Sequence, residues 1–322
     1  MRETLPVRTK ITTSPTEAAE FIRDRGIGAF PTETVYGLGA NVFDADAVEK
    51  IFAAKMRPAD NPLIAHVANL EQIDELTSVI GENARRFIEA FFPGPLTLVL
   101  KRSARVPLIA TAGLDTIGVR MPRHELAREF LAACGVPVVA PSANLSGRPS
   151  PTTWQAVLED LGGRIDCILQ GEATEIGLES TVVDCSAEIP VLLRQGAVSL
   201  DELRHVVAET VELAGDDCEA AAKSPGLRHK HYSPTARVVI MGAGSSEPLP
   251  PSGRLAYIGI SEGVAGGELQ MVCRSVEEYA HALFEFFREC DRAGIEMIYC
   301  EAVPETGIGA ALMDRLRRAA AK

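Results

Sequence analysis

Between residues 25 and 196 short runs of apolar and β-branched residues recur, each closed by a Gly, Pro or polar cluster, with helical periodicity in between. "RGIGAFPT", "NPLIAHVA", "LTLVLKR", "TIGVRMP", "VPVVAPSAN", "DCILQGE", "STVVDCS" and "PVLLRQG" each read as a strand entering a turn. The spacing predicts helices at 44–55, where Asp44 caps and Val48, Ile51 and Phe52 form an apolar stripe, and at 82–92, 124–134 and 152–161. Strands alternating with helices imply an α/β sheet. Two of these strands are open to antiparallel pairing, so the sheet is expected to be mixed.

Near residue 213 the pattern breaks. "LAGDDCEAAAKSPGLRHKHYSPTAR" begins acidic and Ala-rich, then gathers prolines, a glycine and basic or imidazole side chains, the composition of an interdomain connection. The alternation then restarts with strands in "RVVIMGAG" and "RLAYIGI", a helix in "SVEEYAHALFEFFRECDRAG", a strand in "EMIYCEAVP" and a helix in "GIGAALMDRLRRAAAK". The expected organisation is a first α/β domain over 1–212, a linker over 213–236 and a small α/β domain over 237–322. A chain of 322 residues with 46% hydrophobic content supports two cores and excludes disorder and fibres.

With 44 acidic against 32 basic residues, the net charge of −12 opposes a nucleic-acid backbone unless cations are concentrated locally. A small anion in a basic pocket fits better. The seven cysteines lie far apart, without C-x-x-C or metal-ligand spacing, and read as reduced, mostly buried thiols. The N-terminal stretch has no continuous apolar segment, and no apolar run nears the roughly 20 residues of a membrane span. The expected compartment is the cytoplasm, with no membrane partner.

Candidate chemistry falls in four places. In "PTETVYGLGANVFDADAVEKIFAAKMRPADNPL" a hydroxyl-rich, glycine-broken turn precedes a helix, and Pro58 ends that helix so that Lys55 and Arg57 project into a loop. They suit a polyphosphate, or merely complement the helix dipole. In "VVAPSANLSG" Ser142 and Asn144 follow a strand two residues apart and face one way; they converge on a ligand or form a polar turn. Single polar residues stand at strand edges: Thr32, Thr34, His66, Arg120, Ser180 and Arg194. Each is a ligand or an internally satisfied core group. The linker "SPGLRHKHYSP", rigid at both ends and basic between, is a lid or a charged connector. There is no P-loop, no complete dinucleotide fingerprint and no G-x-S-x-G.

In this order, "PTETVYGLG", "KMRPADNPL", "FPGPLTLVL", "IGVRMP", "APSANLSG", "ESTVVD", "LLRQGAV" and "SPGLRHKHYSP" resemble the long, two-domain form of the YrdC-like threonylcarbamoyl-AMP synthases. The resemblance implies a twisted mixed sheet with flanking helices plus a smaller Rossmann-like C-terminal domain. It implies an L-threonylcarbamoyladenylate synthase, a nucleotidyltransferase that makes threonylcarbamoyl-AMP and pyrophosphate from L-threonine, bicarbonate and ATP. A separate transferase then uses the product to modify tRNA, so direct tRNA binding is not required.

By similarity, Lys55, Arg57, Asn61, Thr116, Ser142, Asn144 and Arg194 hold ATP, with Lys55 and Arg57 carrying catalysis by charge neutralisation. Thr34, His66, Arg120 and Ser180 hold threonine, the planar fork of Arg120 suiting a carboxylate. Arg228, His231 and Tyr232 close the cleft as a lid, and Arg228 and Tyr232 also reach ATP. Mg2+ rides on the phosphates, with no protein ligand assigned. The linker departs from the family pattern, nearer S-P-G-M-K-Y-R-H-Y-A-P, in having Leu227, Arg228, His229 and Lys230 at its centre. Two other classes compete. A double-stranded-RNA binder of this fold requires a long basic face, and a carbamoyl-transferring maturation enzyme requires zinc-finger-like cysteines and an acylphosphatase-like segment.

Overall fold

A computed structural model describes residues 8–213, 223–224, 232–242, 253–261 and 267–321. The first unit is built on β1 (Lys10–Thr12), β2 (Gly28–Phe30), β3 (Gly37–Asn41), β4 (Ile64–His66), β5 (Thr77–Val79), β6 (Leu96–Arg102), β7 (Thr116–Arg120), β8 (Val138–Ala140), β9 (Cys167–Leu169), β10 (Thr181–Asp184), β11 (Val191–Arg194) and β12 (Val211–Glu212). They form one mixed sheet in the order β1-β9-β2-β3-β8-β4-β7-β6-β10-β11-β12, with β5 pairing β6. All eight apolar runs of the sequence are strands here. The helices expected at 44–55, 82–92, 124–134 and 152–161 form at Ala45–Lys55, Glu82–Phe91, Glu125–Cys134 and Trp154–Leu161.

One segment differs from expectation. "GLGAN" is not part of a turn but strand β3, between β2 and β8. Its glycines permit close packing rather than a bend: a Cβ on Gly39 would lie 2.6 Å from Val138 Cγ1, and one on Gly37 3.2 Å from Ala140 Cβ. The helix that follows starts where the sequence places it, Asp44 accepting hydrogen bonds from the Asp46 and Ala47 amides. It stops at Met56, whose left-handed φ of 53° breaks the helical ladder.

The centre of the sheet has two distinct faces. Ala65, Val119, Val139 and Leu98 point into the main hydrophobic core. On neighbouring positions of the paired strands, Ile64, His66, Arg120 and Ala140 point the other way. Pairing of β4 with β7 sets His66 opposite Arg120. A single register therefore buries one face and leaves the other for chemistry.

The second unit is a parallel sheet ordered β13-β16-β14-β15, from β13 (Arg237–Met241), β14 (Leu255–Gly259), β15 (Leu269–Val272) and β16 (Met297–Glu301). Helices Val276–Ala293 and Ile308–Ala320 cover it, as the restarted alternation predicts. Its core is shared: Val35 and Leu178 from the first unit pack with Phe284, Leu312 and Tyr232. Two buried ion pairs also join the units, Arg288 with Asp160 at 2.9 Å and Arg315 with Glu179 at 2.9 Å. The small unit is docked against the first, not tethered beside it.

Candidate active site

The polar face of the central strands forms the floor of a cleft with about 580 Å³ of space free of protein atoms, counting the solvent at its mouth. Thr32, Thr34, His66, Arg120 and Ser180 line one part; Arg57, Ser142, Arg194 and Tyr232 line the rest. Residues from 32 to 232 converge because β2, β4, β7, β8, β10 and β11 all begin or end here, the usual place for ligands in an α/β sheet.

Arg120 organises one end. Its Nε donates to Gly94 O at 3.2 Å and Nη1 to Thr34 Oγ1 at 2.7 Å. Its Nη2 lies 2.7 Å from Glu33 Oε1, a charge contact without hydrogen-bond alignment. A guanidinium has five N–H groups, and two are engaged here, so donors remain on both terminal nitrogens, as a bidentate carboxylate contact requires. Burial works to raise the Glu33 pKa, but the Arg120 guanidinium and nearby backbone groups together outweigh it, so the pKa lies below its ordinary value. Thr34 Oγ1 also sits 2.8 Å from Thr32 Oγ1. His66 Nδ1 faces Ile64 O at 3.2 Å, and burial, reinforced by Arg120, lowers its pKa to about 3. The ring is neutral at physiological pH and too weak a base to take a proton from an ammonium group.

The other end is cationic. Arg194 donates from Nε and Nη2 to Ser180 O at 3.1 and 2.9 Å, and Ser180 Oγ meets Thr97 Oγ1 at 2.8 Å. Arg57 is braced by the carbonyls of Asn61 and Pro62 at 3.3 and 3.0 Å. Burial lowers the pKa of Arg57 to about 10 and that of Arg194 below its ordinary value. Two desolvated guanidiniums gain from a polyanion, which returns the electrostatic stabilisation that water supplies elsewhere.

Lys55 is placed otherwise than expected. It does not project into a loop but lies 1% exposed, its Nζ donating to Ser142 O and Asn144 O at 2.5 Å each. The helix register decides this, because Lys55 is one turn beyond Ile51 on the buried face. Burial, then the Arg57 charge, holds its pKa well below the ordinary lysine value. Ser142 donates to Asn144 Oδ1 at 2.6 Å, while Asn144 Nδ2 closes the loop on Leu145 O and Arg148 O. Lys55 and Asn144 thus shape the loop behind Ser142. Buried Asn61 flanks Arg57, and Thr116 starts β7 at the end away from Arg120. Arg228 and His231 lie outside the described residues; Tyr232 lines the cleft.

Two carboxylates were not singled out from the sequence. Glu33 stands between the two threonines of "PTET", and Glu179 directly precedes Ser180 in "ESTVVD". Their adjacency to candidate residues was the available signal. Among the described residues no group of three or more His, Cys, Asp or Glu is placed to hold a metal ion. Both carboxylates instead pair with arginines, Arg120 and Arg315.

Fold and cleft together define a two-domain α/β protein with buried arginines lining one cleft. The family described as "Telomere recombination" (Sua5, YciO and YrdC) matches residues 20–196, and "Threonylcarbamoyl-AMP synthase, C-terminal domain" matches residues 198–321. A threonylcarbamoyl-AMP synthase of Pyrococcus abyssi is 45% identical over 316 residues, 94% of this chain and 92% of the relative. One of Bacillus subtilis is 42% identical over 320 residues, again 94% and 92%. The crystal structure of P. abyssi Sua5 complexed with L-threonine superposes with a TM-score of 0.88 at 41% identity, covering 98% of this chain and 97% of that one. The chain belongs to the threonylcarbamoyl-AMP synthase family, in its two-domain form.

Proposed function

We propose that this protein joins L-threonine, bicarbonate and ATP into threonylcarbamoyl-AMP and pyrophosphate, as an L-threonylcarbamoyladenylate synthase. The observation that carries the reading is one cleft with a carboxylate clamp at Arg120 and buried cations at Arg57 and Arg194. Threonine enters with its carboxylate on Arg120 and its polar groups among Thr34, His66 and Ser180. Its amine and bicarbonate give a carbamate and water. A carbamate oxygen then attacks the α-phosphorus of ATP, the bond from that phosphorus to the bridging oxygen breaks, and pyrophosphate leaves.

Arg57 and Arg194 neutralise the phosphates, while Lys55, Ser142, Asn144, Asn61 and Thr116 shape the nucleotide side. The neutrality of His66 fits positioning rather than proton abstraction. The chemistry asks of the chain alignment, charge neutralisation and exclusion of water, not a nucleophile. Burial keeps thiols such as Cys134 and Cys167 protonated, their pKa pushed up to about 12. Magnesium arrives with ATP, supported by the engagement of Glu33 and Glu179 with arginines.

The catalytic domain spans 1–212, the linker 213–236 and the small domain 237–322, with Arg228, His231 and Tyr232 closing over ATP. The product passes to a transferase that modifies tRNA. We assign the cytoplasm, supported by six buried cysteines without disulfides among the described residues; no described helix is long and apolar enough to cross a membrane. An RNA-binding role is not favoured, because Arg57, Arg120 and Arg194 are buried within the cleft and present no face to a duplex. Purified protein should release pyrophosphate only with both threonine and bicarbonate present. ATP consumption indifferent to threonine, or tight salt-sensitive RNA binding without turnover, would overturn the reading.

A further inference from the structure

Arg315 belongs to the C-terminal helix of the small domain and has no exposed surface; its Nη1 donates to Asp314 on the same helix, and its other polar partners lie across the domain boundary. Its Nε donates to Glu179 Oε2 at 2.9 Å and its Nη2 to Gln195 O at 3.0 Å. Its guanidinium carbon lies 5.2 Å from the centroid of the Tyr232 ring. Glu179 and Tyr232 both line the cleft. The remaining Glu179 oxygen accepts from Ser150 Oγ, so the carboxylate is clamped between the two domains. Tyr232 has a φ of 63°, uncommon for a bulky side chain, and stacks on Phe284 of the small domain with ring centroids 5.4 Å apart. A strained residue persists only where its surroundings hold it.

A carboxylate beside the cations of a polyphosphate site is a liability unless it is neutralised. Glu179 shares the cleft with Arg57 and Arg194, where the proposed triphosphate charge is to be held. Unpaired, it would repel that charge in a poorly solvated setting, where electrostatic terms are strong. We propose that the small domain is a working part of the nucleotide end of the cleft, with Arg315 a positioning residue that neutralises Glu179 and holds Tyr232 in place. The proposal rests on the reading that ATP occupies this end. Arg315 does not touch the phosphates; it acts through the two side chains that border them.

The test measures ATP and threonine affinities separately by calorimetry, with pyrophosphate release alongside, in the full chain. Arg315→Met should weaken ATP binding about tenfold or more while threonine affinity stays within about threefold. Adding Glu179→Gln to that variant should recover most of the lost ATP affinity, because the charge left unpaired at the cleft is gone while Asp314 keeps Arg318. Glu179→Gln alone keeps Arg315 and the bridging hydrogen bonds, and should tighten ATP about two- to fivefold, which holds the test open where Arg315→Met fails to fold. Arg315→Lys retains a cation and should lose less than Arg315→Met. Unchanged ATP affinity in Arg315→Met, equal weakening of both ligands, no rescue in the double variant, or weaker ATP binding in Glu179→Gln would each overturn the proposal. A wild-type protein that binds neither ligand would instead remove the functional reading beneath it.

Discussion

Replacing Arg120 by lysine separates charge from geometry at the threonine end. Arg120 touches Gly94 O, Thr34 Oγ1 and Glu33 Oε1 at 3.2, 2.7 and 2.7 Å, so its plane is set by three partners in different directions. Lysine keeps a cation beside Glu33 and avoids a bare buried carboxylate, so the fold should lose only about 1–2 kcal/mol. What it cannot keep is the pair of parallel donors for a ligand carboxylate. One charge-assisted hydrogen bond is worth about 1.5–3 kcal/mol, so threonine affinity should fall about 10- to 100-fold. ATP affinity, which we assign to Arg57 and Arg194, should stay within about twofold. Titration of each ligand alone, with a thermal melt as control, measures all three quantities. A threonine affinity within twofold of wild type in a folded Arg120→Lys protein would refute the clamp.

Arg57→Ala should slow pyrophosphate release by orders of magnitude with the melt nearly unchanged, whereas Lys55→Met should cost both activity and stability because Lys55 supports the 142–145 loop; normal turnover in either variant contradicts the assignment. Arg288→Met leaves Asp160, a side chain with no exposed surface, held only by Arg148 and the Leu145 amide. Losing one partner of such a pair costs about 3–5 kcal/mol, read as a clear drop in unfolding midpoint; an unaltered midpoint would show that the domains do not depend on this tie. His66 titrates near 3 when folded but near 6.5 when unfolded, so the unfolded chain binds the extra proton in between. Stability is intact above pH 6.5 and falls as pH drops, by about 3 kcal/mol at pH 4, and His66→Gln should flatten that part of the profile. Truncation after residue 213 uncovers Val35 and Leu178 and removes Arg315 from Glu179 and Arg288 from Asp160, so the fragment should be less stable than the full chain by chemical denaturation.

The eight apolar runs were legible as strands because alternation and turn chemistry are local, and the helix from Ala45 was legible from its cap and stripe. β3 was not. Its glycines are ambiguous until Val138 and Ala140 of β8 are seen against them, because close packing of two backbones leaves no trace in local hydrophobicity. Thr34, Arg57, His66, Arg120, Ser142, Ser180, Arg194 and Tyr232 were named from short motifs and all line the cleft. Lys55 was named equally readily, but its helical register turns it inward to the loop carbonyls.

By itself, then, the sequence determined the α/β class, the restart of the pattern after the linker and most of the side chains that meet at the cleft. Those properties are carried by near neighbours along the chain. Only the tertiary structure decided that Glu33 faces Arg120, that Glu179 pairs across 136 positions with Arg315, and that the small domain packs behind the cleft residues Glu179 and Tyr232. The physical reason is that burial and ion pairing depend on distance in space. Glutamate in "ESTVVD" reads the same whether its partner is water or an arginine from another domain.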